Sequence, residues 1–231
     1  MIRNSIEPEI LYEDNHLVIV NKRAGDIVQG DKTGDEPLSV RVAKFIANRD
    51  NKPGDAFIGV PHRLDRPVSG ITVFAKTSKA LERMNELFRG GDIEKRYWAI
   101  VATKPEPQAG ELKHFLVRNE EKNRSFAYDI QKPGSKEARL QYKLIASGDR
   151  YHLLEVLLLT GRHHQIRCQL SKIGSPIKGD LKYGSPRSNP DGGISLHARS
   201  IRFIHPVKKR EIFVEAPVPD DNLWRALTQT L

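Results

Sequence analysis

The chain has 231 residues, with 38 Lys and Arg against 29 Asp and Glu, a net charge of +9 and 38% hydrophobic residues. That length can bury a substantial core, and the balance of apolar and charged residues excludes an intrinsically disordered chain. The longest apolar runs, such as Leu153–Leu159, are interrupted by charge and too short to cross a bilayer as a helix, which excludes a helical membrane anchor.

Met1–Ser5 lacks the apolar stretch of a secretory signal, and a single cysteine, Cys168, excludes an intrachain disulfide. Together these make the cytoplasm the expected compartment. The basic excess is spread along the chain, which fits either a solubility preference or a polyanionic partner.

In chain order, Ile10–Lys22 reads as a strand, with the β-branched run Leu17-Val18-Ile19-Val20 following a turn-forming Asp14-Asn15. Gly25, Gly30 and Gly34 mark a loop, and Ser39–Ala47 suits a short helix. Asn51–Asp55 is a turn, Ala56–Val60 a short strand, His62–Gly70 a loop and Ile71–Ala75 a second strand. A helix is expected from Ser78, with Leu81, Met84, Leu87 and Phe88 on one face, ending at Gly90-Gly91. Ile93–Val101 alternates as a strand does, placing Lys95, Tyr97 and Ala99 on one side. Glu111–Gln131 is polar and predicts hairpins at a sheet edge. Arg139–Ala146 and Tyr151–Leu159 are predicted strands, His164–Ile173 a short helix ended by Gly174, and Leu196–His205 with Glu211–Ala216 a last strand pair. Many strands and few helices without βαβ alternation predict a mixed α+β fold, and the even composition predicts one domain over residues 1–231.

Two stretches carry chemistry. In Pro61-His62-Arg63-Leu64-Asp65-Arg66-Pro67-Val68-Ser69-Gly70 one carboxylate stands between two guanidinium groups on a turn anchored by Pro67 and Gly70. An ionised aspartate on a rigid turn can act as nucleophile or electrostatic stabiliser, and the arginines offer planar donors to a phosphate or a base. A solvated Arg–Asp–Arg pairing in an ordinary loop accounts for the same residues. In Thr160-Gly161-Arg162-His163-His164-Gln165-Ile166-Arg167-Cys168-Gln169-Leu170, helical spacing puts His163, Arg167 and Leu170 on one face near an anion-favouring helix start. The residues lack the ligand spacing of a metal site, and Cys168 reads as a small apolar filler.

These stretches resemble the signatures of the RluA-type family of RNA pseudouridine synthases. His62-Arg63-Leu64-Asp65-Arg66 with Ser69-Gly70, and then Ala75-Lys76, match one family motif. Gly161-Arg162, His164-Gln165-Ile166-Arg167 match a second, and Pro176-Ile177, Gly179-Asp180, Tyr183-Gly184 a third. Lys95, Tyr97 and Ala99, Leu196-His197-Ala198 and His205-Pro206 match further patterns, so the resemblance runs over roughly residues 10 to 217. Lys22-Arg23-Ala24-Gly25 departs from the family's Lys-Pro-Ala-Gly, and Gln169 stands where a His is common.

The resemblance implies a largely antiparallel, bent sheet with flanking helices and a central cleft, without the S4-like RNA-binding domain of many relatives. It implies isomerisation of uridine in structured rRNA or tRNA, with no cofactor or metal, by a cytoplasmic monomer. Asp65 would attack C1′ or remove the 2′ hydrogen, and Arg167 would pair with it. Tyr97 would stack on the uracil and assist at C5. Arg63 would fill the stack left by a flipped nucleotide, with His62, Arg66, Arg162 and His164 joining it in RNA contact. On this reading Arg167→Met impairs turnover more than folding. A binding module with a relict site and a nucleoside hydrolase are the competing classes.

Overall fold

The structure is a computed structural model that describes residues 8–31, 33–229 and 231. Met1–Ser5, the segment read as lacking a signal, lies outside the described residues. The chain divides into two compact units, one of residues 1–93 and 200–217 and one of residues 94–199 and 218–231. The fold is α+β, with four α-helices and largely antiparallel strands among the described residues.

In the first unit, β1 (Glu9–Glu13), β2 (Leu17–Lys22) and β3 (Ser69–Ala75) pair antiparallel in that order. The predicted single strand over Ile10–Lys22 is therefore a hairpin. Asp14 makes it so, because its Oδ1 accepts the backbone N–H groups of both His16 and Leu17 at 2.8 Å and closes the turn. All seven residues of β3 are buried, which explains a near-continuous apolar run in place of alternation. The predicted strand Ala56–Val60 contributes only an isolated bridge, Gly59 to Ala75, so most of it is loop.

Helix α1 (Leu38–Arg49) buries Leu38, Val42, Ala43, Ile46 and Ala47. Its first N–H groups find carbonyls outside the helix: Leu38 donates to Ile27 at 2.7 Å and Ser39 to Val28 at 3.2 Å. Helix α2 (Ser78–Gly90) starts where the Thr77 side chain accepts the Ala80 N–H. It stops at Gly91, whose φ of +83° suits glycine and lets two successive N–H groups reach the Leu87 carbonyl.

In the second unit, β4 (Ile93–Val101), β5 (Ala109–Asn119), β6 (Arg124–Tyr128), β7 (Lys136–Ser147) and β8 (His152–Leu158) pair in the order β4-β8-β7-β5-β6. The polar segment read as edge hairpins is the β5–β6 hairpin, with β6 at the end of that order. Helix α3 (Gln165–Lys172) contributes Cys168 to a core with Leu116, Ala138 and Tyr183. Burial pushes the Cys168 thiol up to about 11 and its Sγ–H points at the Ser125 carbonyl, as a filler's would. Here α4 (Asn222–Thr228) packs Trp224 and Leu227 against Ile100 and Leu153, while residues 200–204 of strand β9 (Leu196–Ile204) pair antiparallel with β10 (Glu211–Glu215) in the first unit.

Candidate active site

Asp65 sits in the loop between Pro61 and Val68, which leads directly into β3. The loop is pinned from both ends. Val68 donates its N–H to the Asp65 carbonyl at 3.0 Å, and Gly25 donates to the Arg66 carbonyl at 2.8 Å. His62 accepts the Val73 N–H on Nε2 at 2.9 Å and stacks on Phe88, with centroids 4.5 Å apart. That bond leaves the proton of neutral His62 on Nδ1. Gly70, at φ +108°, turns the chain from the loop into the strand in a region that side-chain-bearing residues rarely enter.

Arg66 has partners beyond its own loop. Its guanidinium pairs with Asp35, and its Nε donates to the Gly25 carbonyl. Arg66 thereby stitches the 25–35 loop to the Asp65 loop, and Arg63 is exposed. A buried lysine beside this loop is one that sequence reasoning missed. Lys22, at the end of β2 and 1% exposed, donates from Nζ to the carbonyls of Arg23, Asp26 and Arg66 at 3.0, 2.8 and 3.1 Å. Three acceptors match the three N–H donors of an ammonium. Burial pushes Lys22 down to about 7, against the pull of the Asp26 and Asp65 carboxylates. A charged residue closing an apolar strand, inside the segment matched to the family's Lys-Pro-Ala-Gly, was the available signal.

The second unit holds the other predicted residues. Tyr97 lies on β4 opposite Val156 of β8 and is buried, 9% exposed. Arg167 lies in α3, and its Nε and Nη2 donate to the two carboxylate oxygens of Asp180 at 2.6 and 2.9 Å. Both side chains are buried, at 6% and 1% exposure. This fork fixes the plane of the guanidinium, which also lies 5.1 Å from the Tyr183 ring centre.

Helix α3 begins after, not within, the histidine pair. His164 precedes it at φ +52°, a left-handed conformation that carries strain for a non-glycine residue, so His163 and Arg167 do not share a helical face. The strain is held by contacts on both sides. His163 stacks on His164 with centroids 3.8 Å apart, and His164 Nδ1 lies 3.0 Å from the Tyr183 hydroxyl. Tyr183 Oη also accepts the Ser125 N–H at 2.8 Å, so the hydroxyl is held between the two. Burial pushes the Tyr183 phenol up to about 12, which keeps it a donor. His164 is buried, whereas Arg162 is exposed and donates from Nε to the Glu137 carbonyl.

Gln165 explains why a glutamine stands at the start of α3. Its Oε1 accepts from the Thr160 hydroxyl and the Arg162 N–H, and its Nε2 donates to the Arg139 carbonyl, clipping the 160–162 loop to β7. Gln169, where relatives often have His, is fully buried and ties α3 inward through Nε2, next to the carbonyls of Leu112 and Ala138 and to His114. Among the described residues there is no group of three His, Cys, Asp or Glu side chains arranged to hold a metal ion.

Comparison with known proteins places these motifs. Residues 16–172 match the family model described as RNA pseudouridylate synthase. The ribosomal large subunit pseudouridine synthase C of Vibrio cholerae is 30% identical over 230 residues, covering 97% of this chain and 70% of that protein. The tRNA pseudouridine synthase C of Vibrio vulnificus is 30% identical over 236 residues, covering 95% of this chain and 93% of its own length. Among solved structures, human RNA pseudouridylate synthase domain containing 4 superposes with a TM-score of 0.74 at 25% identity, covering 92% of this chain and 89% of that one. The Asp65 loop and the Gly161–Arg167 turn lie within the matched span. The chain therefore belongs to the RNA pseudouridylate synthase family, in its RluA-type group.

Proposed function

We propose that this protein isomerises specific uridines of structured rRNA or tRNA to pseudouridine, as an intramolecular transferase acting as a cytoplasmic monomer. The observation that carries the reading is the Asp65 loop. A carboxylate in a family-matched motif is held on a segment pinned by His62, Gly25 and Lys22, with Arg66 stitched to the same neighbouring loop. Such rigidity suits a residue that must meet one atom of a substrate.

The target nucleotide leaves its stack at a cost of a few kcal/mol. Asp65 acts at the ribose, by attack on C1′ or removal of the 2′ hydrogen, and the C1′–N1 bond breaks. The uracil turns in its pocket and rejoins through C5, whose proton Tyr97 helps to remove. Arg167, oriented by Asp180, acts with Asp65 as its partner, and Arg63 takes the place of the flipped base. His62, Arg66, Arg162 and His164 support or contact the RNA around these steps.

The test uses RNA carrying tritium at uridine C5. Isomerisation releases tritium to water while the RNA mass stays constant apart from that exchange. A hydrolase would remove the base and lower the mass, and a relict binding module would do neither. Absence of tritium release from both rRNA and tRNA substrates would contradict the proposal.

A further inference from the structure

We infer that Arg124 holds a phosphate of the substrate strand close to the target uridine, an inference that rests on the RNA-modifying reading above. Arg124 opens β6, just after the β5–β6 turn. Its guanidinium carbon lies 5.0 Å from the Tyr183 ring centre and 5.3 Å from that of Phe126. Two rings therefore define where the guanidinium sits. Among the described residues it has no carboxylate partner and no hydrogen bond, and its Nε is buried unsatisfied.

The same Tyr183 ring carries Arg167 at 5.1 Å. Arg167's charge is met by Asp180, whereas Arg124's is met by no carboxylate. A preorganised fork with an unmatched charge, beside the arginine of the family's second motif, is the arrangement that takes a phosphodiester. The ring itself cannot drift, because its hydroxyl bridges Ser125 and His164.

The surroundings fit an anion passing over this turn. Lys182 donates to the carbonyls of Lys122 and Asn123, which orders the turn without neutralising the lysine. Arg162 likewise spends its Nε on a carbonyl. Glu120 and Glu121 are also in the turn and exposed, and Glu120 is 3.9 Å from Arg118. Among the described residues Arg124, Arg162 and Lys182 have no acidic partner, whereas Arg167 is paired with Asp180.

The experiment compares wild type, Arg124→Gln and Arg124→Lys in single-turnover tritium release and RNA binding, with thermal unfolding to check each fold. A scan of substrates with one neutral methylphosphonate linkage at successive positions around the target runs beside it. Arg124→Gln should raise the half-saturating RNA concentration about tenfold and flatten the log K against log salt slope by about 0.7. Arg124→Lys should keep most of the slope. One methylphosphonate position should weaken wild type but not Arg124→Gln. Unchanged affinity and slope in Arg124→Gln, or no position-specific loss for the wild-type protein, would overturn the inference even if tritium release is normal. Wild-type binding with this pattern but without tritium release would count against the isomerase reading and leave the phosphate contact standing.

Discussion

Arg167 and Asp180 form a buried, two-pronged ion pair, with donor–acceptor distances of 2.6 and 2.9 Å. Breaking such a pair by removing one partner strands a charge in the interior and typically costs about 3–5 kcal/mol. Arg167→Met is therefore expected to lose stability as well as turnover, a larger cost to folding than the sequence-based expectation of a loss mainly in turnover. The double variant Arg167→Met/Asp180→Leu should recover most of the stability in urea unfolding while remaining inactive. Full stability in Arg167→Met alone would contradict the energetic role of the pair.

Lys22 gives a pH signature. Its folded pKa lies at about 7, below the ordinary 10.5, so between those values the unfolded chain binds a proton that the folded chain does not. The stability that Lys22 contributes therefore rises with pH through this window and is lost as pH falls toward 7. The contribution has a slope of at most about 1.4 kcal/mol per pH unit. Unfolding free energies of wild type and Lys22→Met at pH 7.5 and 9.5 should differ by more, in favour of wild type, at the higher pH. Parallel pH dependences would remove the assignment.

Arg63 is exposed, as a residue that enters RNA must be. Arg63→Ala should slow single-turnover isomerisation of a uridine in a stable stem far more than that of the same uridine in an unstructured oligonucleotide, where little unstacking is needed. Equal losses on both substrates would leave Arg63 a support of the Asp65 loop.

RNA affinity should fall steeply with salt. Neutralising about four to six phosphates of single-stranded character gives a log K against log salt slope of about −3 to −4. Equilibrium binding at four salt concentrations measures it, and a flat response would contradict a phosphate-dominated grip.

The sequence made some parts of the fold legible because the signals there are local. β4 carries its alternation as far as Ala99, before Ala99–Val101 are all buried, and α2 carries both a capping Thr77 and a terminal Gly91. Ile10–Lys22 failed as one strand because a single side chain, Asp14, bends it. Ala56–Val60 failed because it pairs only at Gly59, and edge pairing leaves little pattern. Motif matches located Asp65, Tyr97 and Arg167, but not what holds them. Arg167 meets Asp180 across 13 positions, and Lys22 meets Arg66 across 44. Such partners are set by how the chain folds back, which spacing within one segment does not encode. His164 looked like the first residue of a helix, yet its backbone is left-handed, and its ring stacks on His163 and meets the Tyr183 hydroxyl.

The central claim is that Asp65 carries the chemistry, and the most direct measurement is tritium release by purified Asp65→Asn under single-turnover conditions with saturating RNA. The substitution keeps the size and backbone setting of the side chain and removes its negative charge. The account predicts release reduced to background while RNA affinity stays within a few-fold of wild type, because binding rests mainly on phosphate contacts. Substantial tritium release by Asp65→Asn would contradict it.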